Sequence, residues 1–119
     1  MQIEDSKIMQ ELEDEIYEKL EELRRREQQN SELMQKFEQI EDETYRQARK
    51  AKEVNDALFD AYAKDKRLIS LLTEKEEELH QKQILDRLFF ADMRDELRKQ
   101  QMQIEDSKIA CQIQLEQKE

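Results

Sequence analysis

The chain has no glycine, no proline and no tryptophan, and only one cysteine and one histidine among its 119 residues. Glycine and proline terminate helices and supply the backbone angles of tight turns, so their absence removes the usual punctuation between short elements. Phosphate-cradling loops and nucleophile elbows both need glycine, which excludes nucleotide hydrolases, dinucleotide-binding enzymes and α/β-hydrolases. A di-iron bundle needs Glu-x-x-His pairs on facing helices, and the single pair Glu77 and His80 reads instead as surface residues. A lone Cys111 cannot build an internal disulfide framework and has no base near it along the chain, so it reads as a small buried hydrophobe. The expectation is a non-enzymatic protein with no metal and no cofactor.

Long apolar runs are also missing: no stretch approaches the roughly 20 residues that span a bilayer. The opening MQIEDSKIMQELEDE lacks the basic region and apolar run of a secretory signal. Both observations, with the single cysteine, lead to a cytoplasmic protein without membrane insertion. The formal net charge of −10 argues against nucleic acid as a partner, because affinity for phosphate backbones comes from clustered Lys and Arg. Arg24, Arg25 and Arg26, and the stretch Arg46, Arg49, Lys50 and Lys52, are short and interleaved with Glu or Gln, so they read as solvated, salt-bridged faces. The first 22 residues hold nine acidic side chains against Lys7 and Lys19, a bias that complements a helix N-terminus.

What is present is the vocabulary of long helices. Charged residues make up 44% of the chain and apolar ones 36%, enough for a narrow seam between helices and too little for a broad core. With position a at Met9, a heptad row runs through Ile16, Leu23, Asn30, Phe37, Thr44, Ala51 and Leu58. Its d companions are Leu12, Lys19, Arg26, Leu33, Ile40, Gln47, Val54, Ala61 and Leu68, with e positions such as Leu20, Met34 and Ala48 relieving the polar ones. A second row, Phe90, Leu97, Ile104 and Cys111, has Leu72, Leu79, Met93, Gln100 and Ser107 near d, in a different register.

A single straight helix of this length would reach about 180 Å at 1.5 Å per residue, with one apolar stripe. Around Leu68, Ile69, Leu71 and Leu72, and again from Ile84 to Phe90, apolar residues exceed two per heptad and ask for more than one neighbouring helix. The expected fold is therefore all-α, a long antiparallel helical hairpin of coiled-coil type in one domain spanning residues 1–119. It could complete a bundle with a partner or by dimerisation. Helix 1 is expected at about 5–62, the turn at about 63–67 and helix 2 at about 68–116. Asp65 is the expected cap of the second helix, with Thr73-x-x-Glu76 a competing capping box. Folding there brings Asn30 opposite Gln100 or Gln101, a buried amide pair that would fix register, and Asn30 and Gln100 are assigned that role. Alanines 48, 51, 57, 61 and 63 suit either close helix approach or simple helix propensity. Residues 1–8 read MQIEDSKI and so do residues 102–109, which reads as a duplication or an appended extension and not as a solenoid period.

Phe59 and Asp65 around the turn, Leu71-Leu72-x-Glu74 after it, and Leu97-Arg98-Lys99 leading to Ile104-Glu105-Asp106 form a further pattern. In these residues the chain, over roughly positions 30–119, resembles the small helical proteins encoded beside LXG toxins of bacterial type VII secretion systems. The resemblance implies a cytoplasmic targeting factor that binds the helical N-terminal domain of a toxin beside a second small helical protein. The Trp-x-Gly turn of the related WXG-type secreted proteins is absent, which departs from a secretion signal of that kind. The dense apolar residues Leu68, Ile69, Leu72, Ile84, Leu88 and Phe89 are the candidate partner-binding surface. The alternative is a homo-oligomeric coiled-coil spacer or tether in which a second copy covers the same residues.

Overall fold

The computed structural model describes residues 2–117, and they form two α-helices: α1 at Gln2–Ala61 and α2 at Lys66–Glu116. The protein is an all-α antiparallel helical hairpin. The connection occupies residues 62–65, one or two positions before the expected turn, because Asp65 caps α2 directly. Its carboxylate oxygen Oδ1 accepts from the backbone N–H groups of Arg67 and Leu68, each at 3.1 Å, and so satisfies two of the helix's orphan donors. The chain leaves α1 through Tyr62 N–H to the Leu58 carbonyl and Asp65 N–H to the Tyr62 carbonyl, both at 3.0 Å. No described residue takes a positive φ, so this turn needs no glycine. Thr73 does not begin a helix: its hydroxyl donates back to the Ile69 carbonyl at 2.8 Å, inside α2.

Two compact units divide the chain, one of Met1–Met34 with Asp95–Glu119 and one of Gln35–Arg94. In the first, which holds both termini, Ile16, Leu20, Leu23 and Cys111 form a cluster against which Leu115 packs, and Leu97 and Ile104 continue the buried row. Lys108 reaches Glu27 at 2.7 Å and Asn30 meets Leu97 and Gln101, so rising numbers on α1 face falling numbers on α2. Of the repeated octapeptide, Ile104 and Lys108 in the second copy serve this seam, while Met1 of the first lies outside the described residues.

The second unit, which holds the turn, centres on Phe90. Its ring meets Phe37 edge-on at 5.6 Å and Tyr45 at 5.9 Å. Arg94 places its guanidinium 5.8 Å from the Phe37 centroid, and one nitrogen, Nη2, donates to both Glu41 oxygens at 2.7 and 2.5 Å. Nearer the turn Leu72 and Asn55 are buried, with Ala48 and Ala51 half-buried, so these two alanines take a packing position while Ala57, Ala61 and Ala63 face solvent. Not one described side chain is fully enclosed, as expected when one helix covers only one side of another.

The seam corrects the expected heptad in one respect. Row a of α1 is buried at Ile16, Leu23, Asn30 and Phe37, but Leu12, Leu33, Ile40 and Val54 of row d are exposed. Row e takes their place: Leu20, Glu27, Met34, Glu41, Ala48 and Asn55 are buried or half-buried. On α2 the row Phe90, Leu97, Ile104 and Cys111 is buried as expected, and again Gln100 and Ser107 yield to the next position, where Arg94, Gln101, Lys108 and Leu115 are half-buried. The two e rows carry opposite charges, Glu27 and Glu41 against Lys108 and Arg94. Row d of α1 would instead bring Lys19 and Arg26 toward a basic neighbour.

Candidate partner-binding site

Between Gln83 and Phe90, α2 carries five apolar side chains, and the helical period divides them between its two sides. Gln83, Asp86 and Phe90 point into the seam. Ile84, Leu85, Leu88 and Phe89 fall at i, i+1, i+4 and i+5 and occupy the opposite side, where they are 44%, 66%, 59% and 59% exposed. Phe89 meets Phe90 edge-on, with ring centroids 5.6 Å apart. The result is a contiguous apolar patch on a solvent-facing helix surface.

The six residues expected to bind a partner therefore separate by role. Ile84, Leu88 and Phe89 are brought together on the outward patch. Leu72 is buried in the seam instead, and its carbonyl accepts from the Asn55 side-chain Nδ2 at 3.5 Å. Leu68 and Ile69 are half-buried beside the turn. Leu85 belongs to the patch and was absent from the expected set. Its one-turn spacing to Phe89, together with the seam position of Phe90, is the signal that finds it.

Asn30 is buried as its strict heptad position suggested, with 4% exposure. Its Nδ2 donates to the Gln101 Oε1 at 3.1 Å and, at 3.5 Å, to the Leu97 carbonyl. Gln101 in turn donates to Glu105 at 3.1 Å. The hydrogen bond from the Asn30 amide thus goes to Gln101, while Gln100 is exposed at the edge of a groove of about 340 Å³ beside Asn30. The Oδ1 of Asn30 is buried without a partner. Such a group lowers stability and favours one pairing, since a shifted register would bury the amide with no bond at all.

His80 is exposed on a groove shared with Glu76, Glu77 and Lys52. Cys111 is buried in the seam as a free thiol. Among the described residues no group of three or more His, Cys, Asp and Glu side chains could hold a metal ion, and no helix is long and apolar enough to cross a membrane. Arg25 and Arg26 both pair with Glu22, at 3.0 and 3.5 Å, as a solvated face. Compared with protein-family models, curated proteins and solved structures, the chain finds no match.

Proposed function

We propose that this protein is a non-enzymatic helical adaptor that captures a helical partner on the outward face of α2. The observation that carries the reading is the patch of Ile84, Leu85, Leu88 and Phe89. Fully burying one such side chain stabilises by about 1.5–3 kcal/mol, so covering four that are roughly half exposed gives a gross gain of about 3–6 kcal/mol. Association and side-chain ordering consume much of that, so the patch acts as the centre of a larger contact and does not suffice alone. A helix laid along α2 supplies the rest, since it meets the patch with residues at i, i+3, i+4 and i+7.

The likeness in pattern to LXG-associated targeting proteins names the candidate partner: the helical N-terminal domain of an LXG toxin, bound in the cytoplasm beside a second small helical protein. Co-expression of such a domain with the wild-type chain, and with a Leu88→Glu/Phe89→Glu variant, tests the reading. Capture by the wild type and loss in the variant, with helicity retained, supports it. A stable dimer of the isolated chain in sedimentation, dispersed by the same two substitutions, assigns the face to self-association and makes the protein a spacer or tether.

A further inference from the structure

The turn-bearing unit carries a basic groove along one flank of its seam. Arg46 and Arg49 from α1 and Arg87 from α2 line it with Asp42, Tyr45 and Gln83, around a volume of about 490 Å³. In a chain with 31 acidic residues against 21 basic ones, three guanidinium groups facing a single carboxylate are a local reversal of charge. Arg46 pairs with Glu43 on its own helix at 3.4 Å, but both side chains are more than half exposed, and such a pair is worth little in water. Among the described residues Arg49 and Arg87 form no ion pair. The contrast is with Arg94 in the same unit, which Glu41 neutralises across the seam.

This groove adjoins the outward patch. Ile84, Arg87 and Leu88 stand at i, i+3 and i+4 on α2 and so share one face of the helix. A helix resting on Ile84 and Leu88 passes along Arg87, with Arg46 and Arg49 beyond it across the groove.

We propose that the captured helix is amphipathic with an acidic flank: its apolar row covers Ile84, Leu88 and Phe89, and carboxylates along one edge meet Arg46, Arg49 and Arg87. The proposal rests on the adaptor reading and adds the partner's charge pattern to it. Guanidinium groups present a planar fork that matches a carboxylate, and they hold such pairs better than lysine does at a partly desolvated edge. Exposed Glu77, Asp92 and Asp95 lie on the same outward face of α2, so the selectivity is set at the arginine edge, where a lysine flank meets like charge.

Two synthetic helices of about 21 residues, three heptads with leucine in the seam positions and either glutamate or lysine on the flanks, serve as probes. Fluorescence anisotropy reads their binding to the full chain. The glutamate helix is expected to bind at least about tenfold more tightly. That preference should shrink as ionic strength rises from about 50 to about 300 mM, because the flank pairs sit at the surface. Arg46→Glu/Arg49→Glu/Arg87→Glu changes only exposed residues, should keep wild-type helicity by circular dichroism, and should reverse the preference. Leu88→Glu/Phe89→Glu should lose both probes. Equal binding, or preference for the lysine helix by the wild-type chain, overturns the acidic-flank proposal while leaving the adaptor reading intact if Leu88→Glu/Phe89→Glu still weakens binding. Binding of neither probe overturns both. Displacement of the glutamate helix by inorganic phosphate, beyond the effect of an equal ionic strength of chloride, gives the groove to phosphate and also overturns the proposal.

Discussion

Replacing Phe90 by alanine probes the seam where the aromatic contacts converge. Phe90 is 5% exposed and meets Phe37, Tyr45 and Phe89 at centroid distances of 5.6, 5.9 and 5.6 Å. Removing a buried phenylalanine costs about 3–5 kcal/mol, and aromatic pairs add about 0.5–1.5 kcal/mol each. A seam covered from one side collapses more readily than a closed core, so the lower end applies, about 3 kcal/mol. For a chain of this size that is a fall of about 10–15 °C in the thermal midpoint. Phe89→Ala is the internal control, because its neighbour in sequence is 59% exposed and its removal should cost less than about 1 kcal/mol. Urea and thermal melts followed by circular dichroism at 222 nm read both. A cost below about 1 kcal/mol for Phe90→Ala, or a larger cost for Phe89→Ala, would refute the assignment of Phe90 to the seam and of Phe89 to the exposed surface of α2.

Four further outcomes are expected. Asp65→Ala removes the acceptor for Arg67 and Leu68 N–H and should lower stability by about 1 kcal/mol in the same melts; no change would mean the turn is held by something else. Asn30→Leu removes a buried carbonyl without a partner and should raise thermal stability by about 1–2 kcal/mol, whereas a lower midpoint would show that the amide is satisfied in solution. A double-mutant cycle on Glu41→Gln and Arg94→Gln should give a coupling of about 1 kcal/mol, reduced from a fully buried pair because Arg94 keeps 38% of its side chain exposed; zero coupling contradicts the pairing that selects row e. Cys111 should react with a thiol reagent at least about tenfold more slowly in the native protein than in denaturant, and equal rates would place it outside the seam.

The hairpin was legible in the sequence because the missing glycine and proline leave nothing but helix to build, and because the row of Phe90, Leu97, Ile104 and Cys111 repeats every seven residues. Asp65 could be recognised as a cap from its chemistry alone. The choice between rows d and e could not, since by apolar content Leu33, Ile40 and Val54 of row d compete well with Glu27, Glu41 and Asn55 of row e. What decides it is which charges face each other across the seam, and that depends on pairing residues more than fifty positions apart, such as Glu41 with Arg94. The same dependence explains the docking face. Local density marks Leu72 and Leu88 alike as candidates, although Leu72 also falls near d of the second row; the pairing with α1 sends it inward to Asn55 and leaves Leu88 in water.

The outward face of α2 is tested most directly by a reporter placed within it. An environment-sensitive fluorophore on Leu88→Cys, in a chain whose Cys111 is replaced by serine, should give the emission of a water-exposed dye in the isolated protein at every concentration. It should shift to the blue when a helical partner or the glutamate-flanked helix is added. Emission already shifted in the isolated chain, or no shift on addition of either helix, would contradict an open helix-docking face on α2.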